Sequence, residues 1–84
     1  MVPPWKTGDK VEITFGERTV DGEILLASEN SKSLMLGFEA ILGPGPGLGG
    51  YVGMMPVAWV ENEYRDLKLN QRVGISVARG AAQA

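Results

Sequence analysis

The chain contains neither cysteine nor histidine among its 84 residues. Without cysteine it cannot form disulfides or thiolate metal sites, so a small hydrophobic core has to stabilise the fold by itself. Without histidine it lacks the most common metal ligand and the usual general base, and no Ser-His or Cys-His pair can form. We therefore expect no catalytic residues of these types, no metal site and no resident cofactor.

Long apolar runs and an excess of positive charge are also missing. The longest apolar stretch, residues 33–42, is much shorter than the roughly 20 residues that cross a bilayer, and it contains Glu39. Eight basic residues are interleaved with ten acidic ones for a net charge of −2, whereas nucleic-acid binding needs a basic stripe. The sequence thus predicts a cytoplasmic protein that binds neither membrane nor nucleic acid.

The length fits one domain, which we place at residues 1–79. Residues 80–84 have nothing to bury and are predicted to fray as a C-terminal tail. Residues 43–50 are rich in alternating glycine and proline, and proline has no amide N–H for a regular ladder. This segment is therefore predicted to be a flexible loop.

Apolar residues recur with a period of two, which is typical of β-strands. Val11, Ile13 and Phe15 alternate with polar residues and predict a first strand. Three further inward faces are expected: Val20, Gly22, Ile24 and Leu26; then Leu34, Leu36, Phe38 and Ala40; and finally Val73, Ile75 and Val77. Gly22 inside a strand favours a corner or close approach of the kind that barrels need.

Pro56 is predicted to end a strand that begins at Tyr51, because proline cannot donate to a central ladder. A 3₁₀ turn is expected at Pro56–Trp59, a polar turn at 61–66 and a short strand beginning at Leu67. Together these elements predict an all-β fold, a small barrel of five to six strands.

Both faces of the segment from Tyr51 to Val60 are largely apolar. A small monomer rarely leaves a wide apolar patch in water. Either the barrel wraps tightly enough to bury both faces or another chain covers one. We favour a homo-oligomer, with a protein or peptide partner as the other possibility. The predicted partner-binding residues are Tyr51, Met55, Pro56, Trp59 and Tyr64.

Three short segments resemble signature positions of the Src-homology-3-like barrels: Gly8-Asp9-Lys10-Val11-Glu12-Ile13, Gly22-Glu23-Ile24 and Gly53-Met54-Met55-Pro56-Val57-Ala58-Trp59-Val60. The resemblance implies that the first opens a strand, the second bends one and the third closes the barrel. In the peptide-binding members, Pro56 and Trp59 match the proline and aromatic residue at the end of the polyproline groove. The groove tryptophan of those domains is Thr19 or Val20 here.

The chain also distantly resembles the plasmid-borne type II dihydrofolate reductases, which close with Val-Gln-Ile-Tyr-Pro-Val-Ala where this chain has Val52-Gly53-Met54-Met55-Pro56-Val57-Ala58. Those enzymes are homotetramers with a central pore, and the resemblance implies a reductase that uses NADPH. Their pore glutamine and tyrosine are Gly53 and Met55 here. We therefore predict a non-catalytic protein-interaction or self-assembly module. The first alternative is the oligomeric reductase and the second is a proline-rich peptide binder.

Overall fold

The fold is a closed barrel of six antiparallel strands, seen in a computed structural model that describes residues 2–44 and 49–78. The strands are β1 (Lys10–Phe15), β2 (Arg18–Ala27), β3 (Ser33–Leu42), β4 (Tyr51–Val60), β5 (Glu63–Asp66) and β6 (Arg72–Val77). Each strand pairs with the next, and β6 pairs with β1. The predicted small all-β barrel is confirmed, and its closed six-stranded form is compatible with an SH3-like barrel. None of the described residues belongs to a helix capable of crossing a membrane.

The interior of the barrel is filled by buried side chains from all six strands. They are Val11, Ile13, Phe15, Ile24, Leu34, Leu36, Phe38, Leu42, Tyr51, Met55, Val57, Tyr64 and Val73. The predicted inward face of β1 is thus confirmed in full. This single cluster supplies the apolar burial on which a chain without disulfides depends.

Gly22 allows the close approach that the sequence predicted for a barrel corner. A Cβ atom at this position would overlap the carbonyl oxygen of Gly37 and would lie 2.6 Å from Ile13 Cδ1. Both neighbours belong to strands that pair with β2, so a larger residue would push β1 or β3 away. Glycine is therefore needed where these three strands meet.

The expected inward position of Leu26 is wrong, since this side chain is 65 % exposed. The pairing register shifts between Ile24 and Leu26, so Leu25 is an extra residue opposite β3. A bulge of this kind moves the residues that follow it to the other face of the strand. Ala27 consequently packs against the core in place of Leu26.

β3 extends beyond its predicted end at Ala40. Leu34, Leu36 and Phe38 are buried as predicted, and Leu42 is fully buried as well. The strand continues because it pairs with β4 as far as Leu42. Ala40 is half-buried and packs against the core cluster.

β6 begins at Arg72 and follows the predicted inward face only in part. Val73 is buried and Ile75 is half-buried, whereas Val77 is 58 % exposed and its predicted inward position is wrong. Of the residues of β6, only Arg72 and Val73 pair with β5. The far end of β6 therefore has a neighbouring strand on one side only, β1.

β4 runs without interruption through Pro56, so the predicted strand break and the 3₁₀ turn at Pro56–Trp59 are wrong. The Trp59 amide donates to the Lys32 carbonyl oxygen at 2.8 Å. Because amide directions alternate along a strand, position 56 faces β5 rather than β3. β5 pairs with β4 only from Val57 onward, so a proline at position 56 removes no ladder hydrogen bond.

A two-residue hairpin joins β4 to β5. Glu61 and Asn62 have φ values of 51° and 70°, as in a type I′ turn. β5 occupies Glu63–Asp66, where the sequence predicted a polar turn, and the strand predicted to begin at Leu67 is instead an exposed turn. The strand escaped prediction because its inward positions carry a tyrosine and an aspartate instead of aliphatic residues.

The two ends of the predicted loop 43–50 lie next to each other. A Cβ atom added at Gly43 would lie 3.2 Å from the Cα atom of Gly50. Residues 45–48 of that loop and the predicted tail 80–84 lie outside the described residues.

Candidate functional site

The outward side of β4 is apolar along its whole length. It presents Val52, Met54, Pro56, Ala58 and Val60, which we call the β4 outer face. Val52, Met54 and Val60 are 58 %, 54 % and 43 % exposed, and the other two are half-buried. Soluble monomers seldom leave a contiguous row of this kind uncovered, so the β4 outer face is a candidate contact surface.

β3 widens this apolar surface on one side. Ile41 pairs with Val52 and is 46 % exposed, and Met35 pairs with Pro56 and is half-buried. Neighbouring strands lie about 4.8 Å apart, so these two side chains extend the apolar surface by one strand width.

Charged residues border the β4 outer face. Arg65 of β5 pairs with Ala58, and its guanidinium lies 2.6 Å from the Glu63 carboxylate. On the other side, Glu39 lies toward the far end of β3 and is exposed. Exposed charges of this kind contribute little to stability, but they give the surface a pattern that a partner has to match.

Three of the five predicted partner-binding residues lie inside the barrel. Tyr51 and Tyr64 are each 3 % exposed, and Met55 is fully buried. Pro56 lies on the β4 outer face, whereas Trp59 is half-buried on the inward side at one end of the barrel. The structure brings Trp59 and Tyr64 together and keeps Pro56 apart from both. Of the five, a partner of the folded barrel can reach only Pro56 and Trp59.

An aromatic cluster closes the end of the barrel at Trp59. The rings of Trp59 and Tyr64 meet edge to face with centroids 4.8 Å apart. Tyr64 Oη donates to the Ser31 carbonyl oxygen at 2.7 Å, and burial raises the pKa of Tyr64. Ser31 Oγ donates to the Trp5 carbonyl oxygen at 3.0 Å. Pro3 lines a cleft of about 180 Å³ together with Trp59 and Tyr64.

A buried carboxylate organises the turn between β5 and β6. Asp66 is 2 % exposed, and its Oδ2 accepts hydrogen bonds from Tyr51 Oη at 2.7 Å and from the amides of Leu69 and Lys68 at 2.6 and 3.1 Å. Oδ1 accepts from the Gln71 amide at 2.7 Å. Burial acts to raise the pKa of Asp66, but these hydrogen bonds outweigh it and lower the pKa below its ordinary value. The carboxylate is used internally and holds a turn.

A shallow groove of about 760 Å³ lies over β2 and β3, beside the β4 outer face. Asp21, Glu23 and Glu39 are among its lining residues. Glu23 forms an ion pair with Lys10 at 3.0 Å, and Asp21 and Glu39 are exposed, so water solvates these carboxylates. Within residues 2–44 and 49–78, no group of three or more acidic side chains converges closely enough to hold a metal ion. The groove offers no desolvated acid–base pair.

Comparison with protein-family models, with curated proteins and with solved structures found no match for this chain. Its function is therefore inferred from its own residues and contacts.

Sequence reasoning missed the exposed members of this surface, chiefly Val52, Met54 and Ile41. The signal was present, because both alternate sets of residues between 51 and 60 are apolar. Which set faces outward depends on whether the strand continues through Pro56. Once it does, the set that begins with Tyr51 fills the core and the other set is left outside.

Proposed function

We propose that the protein is a non-catalytic self-assembly module and that the β4 outer face is a contact between two copies. The supporting observation is the apolar outward side of β4, where Val52, Met54 and Val60 remain about half exposed and Ile41 pairs with Val52. Covering this row removes apolar surface from water, which is favourable by about 25 cal/mol per Å².

The border of the β4 outer face carries charges of both signs, namely Glu39, Glu63 and Arg65, which a second copy can match. Pro56 lies in the middle of β4, and Met35, which pairs with it, lies near the start of β3. An apolar row bordered by charges of both signs suits a self-complementary contact.

The reductase alternative has less support. Gly53 has a φ of +76°, a conformation that favours glycine over the glutamine of the type II dihydrofolate reductases. Met55, at the position of their tyrosine, is fully buried. Neither position offers a polar side chain to NADPH or dihydrofolate. The peptide-binder alternative is weakened because Pro56 and Trp59 lie on opposite sides of β4.

Two matched substitutions test the proposed contact. Val52 lies in the β4 outer face and Val77 lies on β6, and each is 58 % exposed. We expect Val52→Lys to weaken self-association at least tenfold, which corresponds to about 1.4 kcal/mol, because it buries a charge in the contact. Val77→Lys should leave association unchanged.

Size-exclusion chromatography with light scattering over a range of concentrations measures both variants beside the unmodified protein. A chain that stays monomeric at every concentration would contradict the assembly function. Equal loss of association in Val77→Lys would contradict the position of the contact.

A further inference from the structure

The segment before β1 covers the aromatic end of the barrel without joining a strand. We call Val2–Trp5 the strap. Its Val2 and Trp5 side chains pack against the core cluster, and Pro3 lines the cleft formed with Trp59 and Tyr64. The strap therefore covers part of the core at this end and forms one wall of the cleft.

Few polar contacts hold the strap in place. Within the strap, the Trp5 amide donates to the Pro3 carbonyl oxygen. Among the described residues, the hydrogen bond between the strap and the rest of the barrel is the one that Ser31 Oγ donates to the Trp5 carbonyl oxygen. Trp5 Nε1 is buried with no acceptor among the described residues. Burying an unpaired donor costs about 1–3 kcal/mol, which offsets part of the packing gain. The strap is therefore held mainly by side-chain packing.

A firmly bonded turn follows the strap. The Lys6 amide donates to Asp9 Oδ2 at 2.9 Å, and the Asp9 amide donates to the Lys6 carbonyl oxygen at 3.0 Å. The Gly8 amide donates to the Ile24 carbonyl oxygen at 2.7 Å and fixes the turn to β2. This turn is therefore tied to the barrel by main-chain hydrogen bonds, and the strap can leave the barrel only by a change of backbone angles between Trp5 and the turn.

We infer that the strap exchanges between two copies, each packing its Val2–Trp5 segment over the Trp59–Tyr64 end of the other. The exchanged contacts repeat those of the closed form, so exchange creates a dimer without a new complementary surface. The two prolines restrict φ to near −65°, so the strap keeps its shape when it moves. This contact is independent of the β4 outer face, and together the two would make self-association bivalent.

Mixed single-cysteine variants test the exchange, because the chain has no cysteine of its own. Pro3 and Arg72 line the same cleft. Pro3→Cys and Arg72→Cys proteins are mixed, equilibrated at high concentration and treated with a short thiol-reactive cross-linker. The matched control mixes Pro3→Cys with Val77→Cys, whose cysteine also lies on β6 but outside the cleft. Far-ultraviolet circular dichroism confirms that each variant is folded.

We expect the first mixture to yield at least five times more cross-linked heterodimer than the control, as quantified by mass spectrometry. A yield equal to the control at every concentration overturns strap exchange. Repeating the experiment with Val52→Lys added to both partners separates the two contacts. The cross-link should persist in that background, and its disappearance would overturn the independence of the strap from the β4 outer face.

Discussion

Each end of the barrel buries one tyrosine, but the hydroxyl groups of the two tyrosines donate to different kinds of acceptor. Tyr51 and Tyr64 are equally buried, and each donates a hydrogen bond of 2.7 Å. The acceptor of Tyr51 is the Asp66 carboxylate, whereas that of Tyr64 is the main-chain carbonyl of Ser31. Hydrogen bonds to charged groups are roughly twice as strong as those between neutral groups.

The groups around Tyr51 are also held by more polar contacts than the groups around Tyr64. At the Tyr51 end, Lys68 Nζ lies 4.8 Å from the ring centroid and donates to the Gly50 carbonyl oxygen at 3.1 Å. These groups all belong to the barrel and its turns. At the Tyr64 end, the cover is the strap, whose Trp5 indole N–H has no acceptor among the described residues. One end is therefore closed by a satisfied polar network, and the other by a segment that is held mainly by side-chain packing, with one hydrogen bond from Ser31 Oγ to the Trp5 carbonyl oxygen.

Asp66→Asn should have the largest effect, because it breaks the network of the Tyr51 end. The amide group replaces one acceptor oxygen by a donor that faces other donors, and the charge is lost. We expect a loss of about 3–5 kcal/mol in the free energy of unfolding, as for other broken buried charge networks. Urea unfolding at neutral pH measures it, and the exposed Asp21→Asn should cost less than about 0.5 kcal/mol. A loss below about 1 kcal/mol for Asp66→Asn would mean that the turn does not depend on this carboxylate.

Alkaline pH should weaken the same end by a different route. Burial, supported by the hydrogen bond to Asp66, raises the pKa of Tyr51 from 10.0 to about 12. The folded phenol thus holds its proton more tightly than the unfolded one. Its contribution to stability is complete below pH 10 and is lost as the pH rises through the folded pKa.

The size of this alkaline loss follows from the shift in pKa. One pKa unit corresponds to about 1.4 kcal/mol, so the loss should approach about 3 kcal/mol. Urea unfolding of the unmodified protein and of Tyr51→Phe between pH 10 and 12 measures it. The variant should show a flatter alkaline decline, and identical slopes would show that Tyr51 does not carry the effect.

Local periodicity predicted β1 correctly because that strand has one buried and one solvated face. The bulge at Leu25 and the position of Pro56 could not be predicted in this way, because each depends on a partner strand. Leu26 changes face only because β3 pairs past an extra residue. Pro56 is tolerated only because β5 has already ended. A local sequence pattern indicates which face of the sheet a residue prefers, whereas the pairing of the strand decides which face the residue occupies.

The candidate site was predictable to a similar extent. The apolar excess between 51 and 60 was visible, and the homo-oligomer derived from it stays a prediction. The interior role of Tyr51 and Tyr64 was not visible, because it depends on Asp66 and Ser31, which are 15 and 33 residues distant in the sequence. From sequence alone an aspartate is expected to be solvated, because its hydrogen-bond donors in the folded protein are not visible.

Tyr64→Phe should have the smallest effect on stability among the changes to the two buried polar groups. It removes a hydrogen bond between neutral groups, which is worth about 0.5–1.5 kcal/mol, whereas Tyr51→Phe removes one to a carboxylate worth about 1.5–3 kcal/mol. Urea unfolding of the two variants side by side at neutral pH measures both losses. Because Ser31 also holds the Trp5 carbonyl oxygen, Tyr64→Phe should loosen the strap and speed formation of the Pro3–Arg72 cross-link, while Tyr51→Phe should leave that rate unchanged. Equal losses of stability, or equal cross-linking rates, would show that the two ends of the barrel are closed equally firmly.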